Sequence, residues 1–257
     1  MVPLSQAELD TFLHVFWAKR AAITDHIHAA TGGVVQFGPF AGTRLARESS
    51  WGDGDIAAKL LGVYEQELHA TLAGFARRRY AAIVNIGCAE GYYAVGLARL
   101  FPSTPVLAFD VSEAAQRITR ANAAENGLGD QVSAAGFCGA EHLASLGARY
   151  ETMLCVIDCE GFETELVTPA ALAGGLKGCD FLIECHDFTK PGITNSLLAV
   201  LASSHEVVNL VSGGRDPNVF ACLSGFDDIH RWLAVNEVRP CIMNWLAATA
   251  RQEVRPE

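Results

Sequence analysis

Two glycines and a later carboxylate are the residues of this chain whose spacing most clearly indicates chemistry. A short apolar run ends in the segment 87–91, Gly-Cys-Ala-Glu-Gly, which predicts a buried strand, a tight turn and the start of a helix. Gly87 and Gly91 let the backbone approach a ligand, because neither carries a Cβ. A second apolar run ends at Asp110, where a carboxylate at a strand tip can accept hydrogen bonds from both hydroxyls of a ribose. The spacing therefore predicts a nucleoside ligand.

The glycine spacing and Glu90 narrow the choice of nucleoside. The turn has the form G-x-x-x-G, whereas dinucleotide sites use G-x-G-x-x-G to wrap a pyrophosphate. Glu90 would repel a pyrophosphate and attract a cationic group such as a sulfonium. The segment 85–91 resembles the first motif of class I S-adenosylmethionine (SAM)-dependent methyltransferases, although many of them carry an acidic residue where this chain has Asn85. The resemblance implies SAM as the cofactor.

The predicted SAM-binding residues follow the first three predicted strands, with one addition from an earlier helix. Tyr64 lies on that helix and is expected to cover the amino-acid end of SAM. Phe137 and Cys138 stand where the family places the residues beside adenine, and Phe137 has the alternative role of ordinary core packing. The full predicted set is Asn85, Gly87, Ala89, Glu90, Gly91, Asp110, Val111, Phe137, Cys138 and Tyr64.

Two clusters of ionisable residues follow the fourth and fifth predicted strands. Residues 158–163 read Asp-Cys-Glu-Gly-Phe-Glu, and residues 184–187 read Glu-Cys-His-Asp. Neighbouring strand tips lie about 5 Å apart, so these clusters are expected to share one pocket. Methyl transfer to a hydroxyl needs an in-line nucleophile and a proton acceptor. His186 is the predicted general base, because imidazole titrates near neutral pH, with Asp158 and Asp187 as its catalytic partners.

The same carboxylates could hold a divalent cation. Asp158, Glu184 and Asp187 are the candidate ligands, for Mg²⁺ or another divalent ion that acidifies a substrate hydroxyl. A hydrogen-bonded carboxylate cluster without an ion is the alternative.

The segment 157–163 is similar to the D-x-E-G-x-E segment of FkbM-type methyltransferases. Segments 87–93, 183–187 and 59–68 are also similar to that family. The resemblance covers roughly residues 55 to 190. It implies O-methylation of a hydroxyl on a sugar or natural product, and a Rossmann-like seven-stranded sheet, mostly parallel with an antiparallel edge strand.

Composition limits the class of partner. The chain has 257 residues, 29 of them acidic and 19 basic, for a net charge of -10. That charge disfavours nucleic acid as a partner, because phosphate contacts need clustered Lys and Arg. The eight cysteines show no C-x-x-C pair, so they are read as reduced thiols, which favours a cytoplasmic location. No signal peptide and no membrane-spanning stretch is expected. A small molecule is the expected partner, and a homo-oligomer stays open.

The apolar pattern divides the chain into two predicted parts. Residues 1–78 predict an N-terminal helical cap, with helices over 5–30 and 56–78 and a short hairpin between them. Residues 79–257 alternate strand and helix, which predicts the methyltransferase domain. Its last two strands are expected at 206–211 and 219–223.

Three other functions stay open. An N- or carboxyl-methyltransferase would use the same cofactor, although a carboxylate acceptor needs no base and would favour a cationic pocket. A nucleotide-dependent oxidoreductase or epimerase would be expected to carry the tighter glycine turn. The third is a non-catalytic SAM-binding protein.

Overall fold

One seven-stranded sheet organises the protein. The structure is a computed structural model that describes residues 5–251. Its strands are β1 (Ala82–Ile86), β2 (Val106–Phe109), β3 (Val132–Ala135), β4 (Met153–Ile157), β5 (Asp180–Cys185), β6 (His205–Val211) and β7 (Asn244–Ala250). The sheet order is β3-β2-β1-β4-β5-β7-β6, with β7 antiparallel to both of its neighbours and the other pairs parallel. The predicted sheet is confirmed, including the reversal at one side.

Helices cover both faces of this sheet. They are α1 (Gln6–Thr31), α2 (Ile56–Leu61), α3 (His69–Phe75), α4 (Tyr92–Leu100), α5 (Glu113–Glu125), α6 (Ala140–Tyr150), α7 (Glu163–Leu166), α8 (Pro169–Ala173), α9 (Ile193–Leu201) and α10 (Asp228–Val235). Alternate residues of β1 face opposite layers, so that Ile83 belongs to the apolar cluster that contains residues of α1 and α4, while Val84 belongs to the cluster that contains residues of α6 and α9. In the described range no helix is long and apolar enough to cross a membrane.

The N-terminal segment forms part of the main core. Ser5 caps α1 through a capping box with Glu8, and Gly32, at φ 61°, ends the helix. Ile23 and Ile27 of α1 are buried in the same apolar cluster as Leu97 of α4. The boundary predicted at residue 78 therefore separates segments that share a core, and it stays a prediction.

The structure differs from the predicted elements in three places. The helix predicted over 56–78 stops at Gly62, whose φ is 74° and whose Cβ, if present, would lie 2.1 Å from the carbonyl oxygen of Phe37. The predicted hairpin contains one antiparallel bridge, between Val34 and Arg44. The apolar run 219–223 forms 3-10 turns that bury Leu223, and the last strand is β7 instead.

Candidate active site

A cavity of about 460 Å³ lies beyond the carboxyl ends of β1, β2, β4 and β5. In open α/β sheets this is where ligands bind. Eight of the ten predicted cofactor residues line it, namely Tyr64, Gly87, Ala89, Glu90, Asp110, Val111, Phe137 and Cys138. Asp158, Glu160, Glu184 and Arg239 line the same cavity, so the nucleoside-type residues and the acidic cluster share one space.

Asp110 connects two loops at the floor of the cavity. One carboxylate oxygen accepts a hydrogen bond from the Ala89 backbone N–H at 2.9 Å, and the other accepts from the Ser112 N–H at 2.8 Å. A carboxylate has about four acceptor positions on its two oxygens, so capacity remains for two ligand hydroxyls. The geometry is therefore suitable for a ribose.

Gly87 allows the close approach of two loops. Its φ is 79°, and a Cβ there would lie 1.5 Å from the Asp158 carbonyl oxygen. Any side chain at this position would separate the end of β1 from the end of β4. The glycine therefore brings the Asp158 loop to the cavity as well as leaving space for a ligand.

Exposed apolar side chains form one side of the cavity mouth. Val111 is 78% exposed and Phe137 is 64% exposed, and the Phe137 ring lies 5.7 Å from the Phe162 ring. Cys138 lies behind them, where burial raises the pKa of its thiol to about 11 and keeps it neutral. Two exposed apolar groups beside Asp110 are suited to contact the faces of a flat base.

Glu90 is not the isolated anion that its sequence position indicates. It is fully buried and ion-paired with Lys59, a residue that sequence reasoning did not select. The Lys59 ammonium lies 4.4 Å from the centroid of the Tyr64 ring. The charge available to attract a sulfonium is therefore largely compensated by Lys59, which corrects the electrostatic argument drawn from Glu90 alone.

Two predicted cofactor residues lie outside the cavity lining. Asn85 is buried in β1 on the face that Ile83 also uses, and its amide group donates to the Val156 carbonyl at 3.5 Å. Gly91 begins α4, and a Cβ there would lie 3.0 Å from the Thr119 side chain. Packing accounts for both residues in this structure, and their contact with the cofactor stays a prediction.

His186 lies at the centre of the acidic cluster and is 2% exposed. Its Nδ1 is 2.7 Å from Oε1 of Glu163. Its Nε2 is 3.5 Å from a carboxylate oxygen of each of Asp158, Glu160 and Glu184. The structure therefore brings together three of the four predicted residues, and adds Glu160 and Glu163.

Asp187, the fourth predicted residue, is used elsewhere. Its carboxylate accepts hydrogen bonds from the backbone N–H groups of Gly192 and Thr194 and from the Thr194 hydroxyl. These contacts hold the first turn of α9, and Asp187 is not among the residues that line the cavity. Its carboxylate is thus engaged with α9, and its roles as catalytic partner and metal ligand stay predictions.

Competing effects determine the charge of His186. Burial lowers its pKa, but the hydrogen bond to Glu163 and the nearby carboxylates outweigh burial, so the pKa is raised above its ordinary value. Burial raises the pKa of Glu163, whereas the hydrogen bonds from His186 and from the Gly161 N–H lower it. The hydrogen bonds outweigh burial, so the pKa of Glu163 lies below its ordinary value. This pair therefore favours an ionised Glu163 and a basic imidazole.

Arg239 connects the acidic cluster to the N-terminal segment. Its Nη1 donates to Glu184 at 2.6 Å, its Nη2 donates to Glu65, and its Nε donates to Glu237 at 3.2 Å. Burial, followed by the charge of Asp158, raises the pKa of Glu184 well above its ordinary value. The guanidinium also lies 5.4 Å from the centroid of the Tyr64 ring, so Arg239 joins the acidic cluster to the Tyr64 side of the same cavity.

Comparison with known proteins is informative at the level of fold. No protein-family model matches the chain, and no curated protein matches its sequence. A Klebsiella pneumoniae protein assigned as an O-methyltransferase shares 12% identity with a TM-score of 0.51, over 98% of this chain and 93% of that one. An O-methyltransferase from Bacillus cereus, solved with S-adenosylhomocysteine (SAH), shares 15% identity with a TM-score of 0.49, over 72% and 80%. The fold is that of class I SAM-dependent methyltransferases.

Proposed function

We propose that the protein is a SAM-dependent methyltransferase that acts on a hydroxyl of a small molecule, as the FkbM-type sequence resemblance implies. The observation that carries this proposal is one cavity lined both by Asp110 and by Asp158, Glu160 and Glu184, the three carboxylates that face Nε2 of the buried His186. A nucleoside held at one end thus has a polar reaction site at the other. The Klebsiella protein's assignment as an O-methyltransferase agrees with a hydroxyl acceptor.

The cavity suggests how SAM would lie. The ribose hydroxyls would donate to Asp110, and the adenine would contact Val111 and Phe137 at the mouth. The amino-acid end would lie toward Tyr64 and the ion pair of Lys59 with Glu90, which can complement a zwitterion with one charge of each sign. This orientation directs the sulfonium methyl group toward Asp158 and Glu184, which line the same cavity.

The chemical step needs few protein groups. SAM already carries its leaving group, so the protein must hold the acceptor oxygen in line with the methyl group and take its proton. We assign the proton to Nε2 of His186. Glu163, bound at Nδ1, fixes the ring and stabilises the imidazolium that forms, and Asp158 is close enough to orient the hydroxyl.

Binding and transfer can be tested separately. Calorimetry should detect SAM and SAH binding but no binding of NAD⁺, whereas binding of NAD⁺ without SAM would refute the proposal. Methyl-labelled SAM incubated with a panel of sugars and phenols should then label a hydroxylated acceptor. His186→Gln should abolish labelling without weakening SAH binding, and His14→Gln, on the exposed face of α1, is the matched control. Full turnover by His186→Gln would refute the base assignment.

A further inference from the structure

Three side chains of the His186 cluster converge as metal ligands do. One oxygen each of Asp158 and Glu160 and one nitrogen of His186 all lie within 4.8 Å of one another. Ligands about 2.1 Å from an ion are separated by about 3 to 4 Å from each other. The spacing is therefore compatible with one ion bound between the three groups after small side-chain adjustments. This set differs from the ligand set expected from the sequence, because Glu160 takes the place of Glu184 and Asp187.

The orientation of His186 is independent support for an ion. Nδ1 faces Glu163, whose carboxylate is itself held by the Gly161 N–H at 3.0 Å. Nε2 faces the opposite way, toward one carboxylate oxygen each of Asp158 and Glu160, both at 3.5 Å. In metal sites, the ring nitrogen of histidine that does not bind the metal usually donates to a carboxylate. This hydrogen bond fixes the tautomer in which the other nitrogen presents its lone pair to the ion.

The local charge also favours a cation. Asp158 and Glu160 have no Lys or Arg partner within ion-pair distance in the described range. The nearest guanidinium, that of Arg239, already contacts Glu65, Glu184 and Glu237. The positive group nearest to these two carboxylates is thus the imidazole of His186, at 3.5 Å, and a bound dication would take over that compensation when the imidazole is neutral.

We propose that Asp158, Glu160 and His186 bind a divalent cation such as Mn²⁺, with Glu163 as the positioning residue for the imidazole. Two carboxylates and one imidazole are a mixed oxygen and nitrogen set that Mn²⁺ accepts. Three protein ligands leave up to three of six positions for an acceptor with two adjacent oxygens, such as a vicinal diol. The acceptor named in this inference rests on the proposed function, whereas the binding of the ion does not.

The cation changes the role of His186. Nε2 cannot bind an ion and accept a proton at the same time. A bound dication would lower the pKa of the acceptor hydroxyl, and the proton released from that hydroxyl would pass to water. His186 is then a ligand, and the imidazole base proposed above describes the metal-free protein.

Mn²⁺ binding is measured directly by the loss of the free-ion signal in electron paramagnetic resonance. The whole protein, first dialysed against chelator, should bind one Mn²⁺ per chain. Glu160→Gln and Asp158→Asn should each weaken binding at least tenfold. Glu163→Gln should weaken it about 10- to 100-fold while leaving all three ligands in place. Glu165→Gln removes an exposed carboxylate of the same segment, one that pairs with Lys190, and should leave binding unchanged.

The outcomes separate the ion from the reaction. Equal Mn²⁺ affinity in the wild type, Glu160→Gln and Asp158→Asn, or no binding to folded wild-type protein, would overturn the cation site. Methyl transfer at the full rate in excess chelator would overturn the role of the cation in ionising the acceptor, while leaving the proposed function intact. Mn²⁺ binding by a protein that fails to bind SAM would refute the proposed function and retain the cation site. Glu160 is largely exposed, so its variant is expected to fold normally.

Discussion

Replacing Lys59 with methionine removes the cation that faces Glu90, in a place that water reaches poorly. The Lys59 side chain is 3% exposed and that of Glu90 is fully buried. Removing one partner of a buried ion pair typically destabilises a protein by about 3–5 kcal/mol, because the remaining charge loses both its partner and its hydration. At about 2–4 °C for each kcal/mol in a chain of this size, Lys59→Met should lower the melting temperature by roughly 10 °C.

The reciprocal variant should be milder. In Glu90→Gln the Lys59 ammonium still lies 4.4 Å from the Tyr64 ring, and such a cation–π contact is worth up to about 2 kcal/mol when desolvated. A loss of about 1–3 kcal/mol is therefore expected. The double variant has no charge left to compensate, and methionine retains contact with the rings, so its stability should return to within about 1 kcal/mol of wild type.

Urea unfolding of the SAM-free proteins, followed by circular dichroism, measures the free energy of unfolding of the wild type, both single variants and the double variant, which together form a double-mutant cycle. Additive losses in the double variant would refute the view that the two side chains compensate each other. So would a Lys59→Met variant that lost less than about 1 kcal/mol, because the Glu90 charge would then have another partner or access to water.

Three further outcomes are expected. Gly87→Ala should destabilise the protein by about 2–5 kcal/mol in urea unfolding, from left-handed strain and a displaced β4 loop, whereas Gly213→Ala, which meets open space, should have no effect. Asp110→Asn should weaken SAH binding on the order of 100-fold by calorimetry, since hydrogen bonds to a charged acceptor contribute about 1.5–3 kcal/mol each, and an affinity within twofold of wild type would contradict the ribose contact. The imidazole of His186 should titrate above its ordinary pKa of 6.5 by NMR, and Glu163→Gln should lower that pKa because it removes the anion at Nδ1. Protonation of His186 then stabilises the folded protein at low pH, and this stabilisation is lost as the pH rises through the raised pKa. A measured pKa below 6.5 for His186 would contradict the geometry.

The local signals in the sequence were sufficient for the centre of the sheet. β1 and α4 lie on either side of the glycine turn, as predicted, because a continuous apolar run followed by glycines leaves few other structures. The region after residue 205 was harder. The run 219–223 is as apolar as a strand but forms buried turns, whereas β7 is rich in alanine, which has low strand propensity, and depends on pairing with β5 and β6.

The candidate site also combines residues that a sequence segment identifies with residues that only the fold brings together. Glu160 and Glu163 belong to the D-x-E-G-x-E segment, so the signal was present, but only the structure shows which carboxylate faces which nitrogen. Asp187 follows His186 directly, yet its proximity in sequence does not bring it to the cluster. Arg239 is separated from Glu65 by 174 residues, and no spacing rule connects them.

That separation has a consequence for synthesis of the chain. Closing a loop of 174 residues between Glu65 and Arg239 requires that most of the chain already be folded, since such long-range contacts form only after their loop-closure entropy is offset by packing. Arg20 makes a still longer connection, to the Asn236 carbonyl at 2.5 Å. A nascent polypeptide that still holds residue 239 inside the ribosome can form β1 to β5 but not the finished wall of the cavity. The first and last parts of the chain therefore meet at the ligand cavity, which is completed only after translation has passed Arg239.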